Sequence, residues 1–327
     1  MSSPPLKFLV TGASGGLGGS VLDTLYKNVS DPSTIAAASS RPEASAKLQQ
    51  AYPGIQFRVV DYDDATSLVH AFQGVERLFF VSSPEPNSDK REVQHENVVR
   101  AAKEAGVGRV YYSSLAFGGY ERHSVVSVQR AHIFTEKLLE ESGIPHISVR
   151  EGVYTDAFPV FIFWYPDTTT VYLTGDGPVA FSSRAELGEA TARLMLRDPS
   201  SIPTHLVKNN TVLLTANKTY TLTNVVNAIS EATGTNIAIK HVSREEYPDI
   251  MAAEDAKPGH GNKSRAFFEV WMSLVDGIER GEAKTTSPLM KELLGREPRD
   301  AMEHVKQLVR DAAPHGGYTW HQNNMKR

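Results

Sequence analysis

Residues 6–26 read LKFLVTGASGGLGGSVLDTLY. The apolar run Leu6 to Val10 has the length and composition of a strand, and Ser20 to Lys27 has the spacing of a helix. Between them, Thr11 to Gly18 is a glycine-rich turn. Such a turn lets backbone approach a pyrophosphate. Gly12 permits the tight bend, Gly15 removes the side chain where a phosphate would press, and Gly18 lets the helix lie close on the strand. Ser14, Gly16 and Leu17 lead into the helix, whose first N–H groups offer a partial positive charge to an anion. The turn therefore predicts a dinucleotide-binding fold.

Outward from this turn, strand and helix alternate. Strands are predicted at Leu6 to Val10, Thr34 to Ala38, Gln56 to Val60, Val75 to Ser82, Arg109 to Ser113 and His146 to Arg150. The intervening helices are Ser20 to Lys27, Glu43 to Ala51, Ala65 to Phe72, Arg91 to Ala105 and Val125 to Ser142, with Gly106, Gly108 and Gly143 where C-caps belong. The fold class is α/β: a doubly wound parallel Rossmann sheet, order 3-2-1-4-5-6, with ligands at the carboxyl ends of its strands. Residues 1–152 form this domain, joined by a returning strand near 211–216. Residues 153–327 form mainly a smaller C-terminal α/β substrate lobe, in which Leu222 to Thr233 reads as a helix closed by Gly234 and Asn236 to Val242 as a strand. Arg265 to Arg280 carries Phe267, Phe268, Trp271, Leu274, Val275 and Ile278 at helical spacing, a stripe that reads as core or as the roof of a pocket. Met251 to Lys263 is polar, contains Pro258, Gly259 and Gly261, and reads as a mobile lid. The tail from Pro314 to Arg327 reads as flexible, and its His315 and His321 need no metal.

Composition narrows the function. The chain has 327 residues and a formal charge of −4, which leaves no dominant basic stripe for nucleic acid. With no cysteine, disulfides, thiolate catalysis and cysteine–zinc sites are excluded; a cytoplasmic location is expected, and no metal site. Met1 to Pro5 lacks the basic region of a secretory leader, and the apolar run Phe158 to Tyr165 is far short of the roughly 20 residues of a membrane helix. A monomer and a homodimer both fit.

The end of the second strand selects the dinucleotide. An acid there would hold a ribose 2′-hydroxyl and repel a 2′-phosphate. Here Ser39, Ser40 and Arg41 stand in its place. A guanidinium forks onto phosphate while hydroxyls donate to its oxygens, which predicts NADPH (NADP). Asp61 and Tyr62 are placed to meet the adenine, and Ser82 and Ser83 to pass the nicotinamide ribose.

The chemistry is less direct. None of the 12 tyrosines has a lysine four residues later, so the Tyr-x-x-x-Lys pair of many such reductases is missing. His132 and Glu136 lie four apart on one helix face. His132 reads either as a group titrating near neutral pH, able to donate a proton, or as a surface histidine paired with Glu136.

The chain resembles the NmrA-like group of atypical short-chain dehydrogenases, and within it the type 2 NAD(P)H:quinone oxidoreductases. The resemblance rests on Thr11 to Gly18, Arg41, Asp61 to Asp64 (DYDD) and Asn97 to Ser114 (NVVRAAKEAGVGRVYYSS). It continues through His132 to Lys137, Arg150 to Thr155 (REGVYT), Gly175 to Leu187 (GDGPVAFSSRAEL), Lys218 to Leu222 and Thr285 to Gly295 (TTSPLMKELLG). It implies that His132 borders the nicotinamide, that Gly152 and Tyr154 lie beside cofactor and substrate, and that substrate enters between sheet edge and C-terminal lobe. The insert around Met251 to Asn262 and the aromatic helix after it look peculiar to this chain.

Three readings follow. The first is an NADPH-dependent oxidoreductase that passes hydride to a quinone or conjugated aromatic ketone, aromatic polyketide intermediates among them, with Phe158, Phe161, Phe163, Trp164 and Trp271 near its mouth. There His132 orients the ribose or protonates the product, Tyr154 covers the substrate ring and Ser114 hydrogen-bonds the acceptor oxygen. The second is an NAD(P)-sensing regulatory protein without turnover. The third is an isomerase or dehydratase with the nucleotide as bystander.

Overall fold

The computed structural model describes residues 6–85 and 87–320. Strands β1 (Leu6–Val10), β2 (Ile35–Ser39), β3 (Gln56–Val59), β4 (Val75–Phe80), β5 (Arg109–Leu115) and β6 (His146–Glu151) alternate with helices α1 (Gly16–Asn28), α2 (Ala44–Ala51), α3 (Ala65–Phe72), α4 (Ser88–Glu104) and α5 (Ser127–Ser142). There follow β7 (Val153–Tyr154), α6 (Phe158–Ile162), β8 (Thr170–Leu173), β9 (Phe181–Ser182), α7 (Arg184–Leu196), β10 (Thr211–Leu214), α8 (Leu222–Thr233) and β11 (Ala238–His241). The chain ends on α9 (Tyr247–Asp255), α10 (Arg265–Glu279), α11 (Leu289–Leu294) and α12 (Ala301–Ala312).

The central sheet runs β10-β6-β5-β4-β1-β2-β3 and every pairing in it is parallel. This is the expected doubly wound order with the returning strand added beside β6. One face packs on α1, α7 and α11 through Val21, Leu25, Leu187, Leu194 and Leu289. The other packs on α3, α4 and α5 through Phe72, Val98 and Leu139. Thus α7 and α11, from the second half of the chain, share the layer that carries α1. A separate core gathers α8, α10 and α12 around the two-stranded β8–β11 sheet.

Several boundaries differ from the sequence reading for identifiable reasons. β4 stops at Phe80, before Val81 and Ser82, whose N–H groups leave the ladder for Thr11 Oγ1 and Ser113 Oγ, each at 2.9 Å. α1 begins at Gly16, inside the glycine turn, well before Ser20.

The segment Met251 to Lys263 is not a loose lid. Its start completes α9, and the loop beyond is fastened inward. Asp255, buried, accepts from Lys263 N at 2.7 Å and from the Tyr165 hydroxyl. Gly261 N donates to Tyr165 Oη at 3.0 Å, and the His260 ring stacks on Tyr165 at 3.8 Å. The tail is likewise held as far as it is described. Tyr318 stacks on Phe158 at 5.2 Å and donates to the Asp156 carbonyl at 2.7 Å, and Trp320 is buried beneath Arg184. His321 and the rest of the expected flexible tail lie outside the described residues. No helix among the described residues is long and apolar enough to cross a membrane.

α1 and α7 lie almost backbone to backbone. A Cβ on Gly188 of α7 would sit 2.4 Å from Ser20 Cβ and 2.9 Å from Val21 N. Gly188→Val should therefore force these helices apart and destabilise the fold by about 1–3 kcal/mol. A urea unfolding midpoint equal to that of the unmodified chain would contradict this packing.

Candidate cofactor and active site

The glycine turn is built on Thr11. Its Oγ1 donates to the Phe79 carbonyl at 3.1 Å and accepts from Val81 N and from Tyr62 Oη, the latter at 2.7 Å. This staples the carboxyl ends of β1 and β4 together. Gly12 takes a left-handed φ of +61°, and a Cβ on Gly18 would meet the Gly12 carbonyl at 2.4 Å. Gly15 is the N-cap of α1 with no side-chain cap, so the first-turn N–H groups are left for an anion. Leu17 instead packs into the core.

Gly16 has a second reason to be glycine. A Cβ there would lie 2.5 Å from Nη1 of Arg184. Arg184, the first residue of α7, is held by the Asp156 carboxylate and lies over the Trp320 ring at 4.1 Å. The motif reading could not have found it, because it arrives from far along the chain.

At the end of β2, Arg41 Nη2 donates to Ser14 Oγ at 3.0 Å, and Ser14 Oγ lies 3.4 Å from Ser39 Oγ. Ser40 and Arg41 are exposed. Two hydroxyls and a guanidinium are thus gathered beside the turn with no acid among them, which fits a 2′-phosphate. Asp61 is exposed and caps the turn that follows it through Asp63 N at 3.0 Å. Tyr62 spends its hydroxyl on Thr11 and the Val81 carbonyl, so it braces the crevice floor and has no hydroxyl free for an adenine.

Ser82 and Ser83 are held by a network the sequence reading missed. Ser83 N donates to His95 Nε2 at 3.0 Å, which leaves Nδ1 to donate to Thr135 Oγ1 at 2.6 Å. Ser83 Oγ donates to Gln94, whose amide donates to Asp63. Burial drives the His95 pKa down to about 3, so this linchpin is neutral.

The active-site expectations need correction. His132 is neither a surface residue nor a partner of Glu136. It is buried, its Nδ1 lies 2.9 Å from Tyr112 Oη, and burial with the nearby Arg91 charge holds its pKa well below the ordinary histidine range. It cannot supply a proton as an imidazolium near neutral pH. Glu136 is taken by Arg150, whose Nε and Nη2 reach its two oxygens at 2.9 and 2.7 Å. Ser114 donates its hydrogen to the same carboxylate at 2.6 Å and so cannot donate it to an acceptor oxygen.

Gly152 is glycine because β9 passes close: a Cβ would meet the Ala180 carbonyl at 2.7 Å. Tyr154, half-buried, donates to Glu151 Oε2 at 2.5 Å. Glu151 was also missed, although an acid ending the buried strand HISVRE is a legible anomaly. A cleft of about 1060 Å³ touches Gly15 and Gly16 and runs behind α1 between α7 and α12. Its lining includes Arg184 and Asp156 and contains neither Arg41 nor Ser82 nor Tyr154. Among the described residues no cluster of His, Asp or Glu is arranged to hold a metal.

Arg150 is 1% exposed, and its remaining nitrogen reaches the Gly119 and Glu121 carbonyls at 2.5 and 2.7 Å. Glu136→Ala should leave that charge buried and uncompensated, a loss of about 3–5 kcal/mol in the denaturation free energy. Replacing both partners by apolar residues should recover most of it. A single variant as stable as the unmodified chain would refute the pairing.

The family model described as the NmrA-like family matches residues 6–284. An NmrA-like family domain-containing oxidoreductase of Aspergillus flavus is 42% identical over 324 residues, 98% of this chain and all of that protein. Quinone oxidoreductase 2 of Escherichia coli is 31% identical over 303 residues, 91% of this chain and 97% of its own. Among solved structures, the Citrobacter triphenylmethane reductase complexed with NADP(H) superposes with a TM-score of 0.75 at 29% identity, over 92% of this chain and 99% of that one. With its dinucleotide turn, its parallel sheet order and this match across most of its length, the chain belongs to the NmrA-like family.

Proposed function

We propose that the protein is an NADPH-dependent oxidoreductase that delivers hydride to a quinone or a conjugated aromatic ketone, aromatic polyketide intermediates among them. One observation carries the cofactor choice: Arg41 and Ser14 are hydrogen-bonded beside the glycine turn at the end of an acid-free β2. The named activities of the Escherichia coli quinone oxidoreductase and the Citrobacter reductase support the reading. When bound, the dinucleotide supplies the hydride.

The chain's own residues do the rest. The N-terminus of α1 binds the pyrophosphate, and Arg41 with Ser14 and Ser39 grips the additional phosphate. The His95 network fixes the Ser82–Ser83 backbone along the crevice. His132 acts as a neutral hydrogen-bonding ring. Tyr154, packed against the cluster that contains Phe163 and Phe268, presents an aromatic face to the substrate. The partly buried Phe161, Phe267 and Trp271 extend that surface over the buried Phe163, with Phe267 stacked on Trp271 at 5.7 Å. A planar aromatic acceptor suits such a wall. It also delocalises the charge that hydride addition creates, which reduces the need for a strong acid.

The test is turnover of NADPH with naphthoquinones and hydroxylated anthraquinones, followed at the reduced-nicotinamide absorbance band. Activity is expected. Cofactor binding without turnover across the panel would point to a nucleotide-sensing regulator. Each charge-assisted bond to the phosphate should contribute about 1.5–3 kcal/mol, and one or two of them give a preference for NADPH over NADH on the order of tenfold to several hundredfold. Arg41→Ala should bring the two cofactors close to parity in binding titrations; an unchanged ratio would remove Arg41 from the site.

A further inference from the structure

Glu151 ends β6, and Tyr154 follows it on β7, at the carboxyl edge of the sheet where the two halves of the chain meet. Glu151 is fully buried. Tyr154 Oη lies 2.5 Å from its Oε2, while Oε1 has no hydrogen-bond partner among the described residues. Its neighbours across the sheet are apolar, Leu115 on β5 and Leu214 on β10. The preceding Arg150 reaches Glu136 on α5 and gives Glu151 no counter-charge. From the start of α7 and the turn after β7, Arg184 and Asp156 act on Tyr154, with opposite signs. An ionised carboxylate with one orphaned oxygen is unfavourable in this setting. The neutral acid is not. Burial pushes the Glu151 pKa up to about 8, and burial together with Glu151 pushes the Tyr154 phenol well above its ordinary range.

A neutral carboxylic acid brings an O–H of its own, and with that hydrogen on Oε2 the bond that Tyr154 Oη makes to Glu151 reverses, which frees the phenolic hydrogen. Two adjacent hydroxyl groups, one of them on a partly buried ring at the carboxyl edge of the sheet, can pass a proton outward in one motion. His132, expected to orient the ribose or protonate the product, is neutral, and the Ser114 hydroxyl is committed to Glu136.

We propose that Tyr154 and Glu151 form a two-residue proton relay, in which Tyr154 protonates the reduced acceptor and Glu151 restores the proton to Tyr154. This rests on the reductase reading above. Hydride from the reduced dinucleotide forms a C–H bond on the acceptor and sends an electron pair to the acceptor oxygen. That oxygen takes the Tyr154 hydroxyl proton as Tyr154 Oη takes the Glu151 carboxyl proton. The acceptor gains two electrons and a proton beyond the hydride's own hydrogen nucleus, the dinucleotide is oxidised, and Glu151 is left as a carboxylate that regains its proton from water. The direction is favourable, because an acid near 8 faces a phenolate-type oxygen whose ordinary value is about 10. Tyr154 is the catalytic residue in this scheme and Glu151 the positioning residue behind it.

Two measurements on Glu151→Gln separate the possibilities. The first needs no turnover: the unfolding midpoints of the unmodified chain and the variant are compared from about pH 5 to pH 9. Glu151 binds its proton more tightly in the fold than in the unfolded chain. Its stabilising contribution is therefore full below the unfolded carboxyl value and lost as pH rises toward about 8. The unmodified chain should lose ground to the variant through that window and then run parallel to it. A flat difference would mean an ionised, structural Glu151 and would overturn the relay.

The second is the pH profile of quinone reduction. The unmodified protein should slow above about pH 8. Glu151→Gln and Tyr154→Phe should each lower kcat on the order of a hundredfold with KM little changed. The Gln variant should lose the break near pH 8, and the double variant should be no slower than either single one. An unmodified enzyme that turns over, with Glu151→Gln equal to it in rate, overturns the relay alone. An unmodified chain that turns over no acceptor, even with the stability titration as expected, overturns the reductase reading and the relay with it.

Discussion

The start of α1 is pressed against the turn that precedes it, and the rest of the architecture follows from that contact. Gly18 has no room for a side chain because the Gly12 carbonyl occupies its place. The same closeness continues on the outer side of the helix, where Gly188 lets α7 lie on Ser20 and Val21. Once α7 is seated there, its first residue, Arg184, stands over Gly16. A segment that begins beyond residue 183 thus reaches the phosphate-binding turn, and Asp156 and Trp320 hold it in place. The C-terminal half is therefore packed onto the glycine turn itself, more intimately than a two-lobe division implies.

Much of this was legible from local signals. The period of the apolar residues gave six strands in the right order, because parallel strands buried on both faces read as short continuous runs. Gly143 and Gly234 close their helices with left-handed φ of 75° and 70°, as their positions after amphipathic stretches predict. The place of Arg41 beside the glycine turn was legible as well, since the end of the second strand is a defined position in this fold.

What escaped was decided by partners distant in sequence. The spacing of His132 and Glu136 places them on one helix face, and nothing in that spacing says that Arg150 from β6 will claim the carboxylate. Polar residues and glycines between 256 and 263 have a loop composition, but the buried Tyr165 and Asp255 turn that loop into a fastened one. Helical spacing identifies neighbours; it does not rank them against a guanidinium or a phenol arriving from another element. Hydrogen-bond commitment, more than location, separates the Ser114 hydroxyl from the role expected of it.

The crevice has a consistent electrostatic character. His95 and His132 are kept neutral by burial, and Glu151 is kept protonated near neutral pH by the same cause. The buried charges beside it, Arg150 and Glu136, neutralise one another. Arg91, buried near His132, is a fixed cation as well, and its Nε is committed to the Glu85 carbonyl at 2.7 Å. A localised alkoxide demands more of such a fixed charge as it forms. An acceptor that spreads the new charge over its own ring system makes a smaller demand and needs chiefly orientation and a timely proton. On the proposed reductase reading, the missing Tyr-x-x-x-Lys pair and the neutral His95 and His132 suit acceptors whose reduced form is stabilised by conjugation better than isolated ketones.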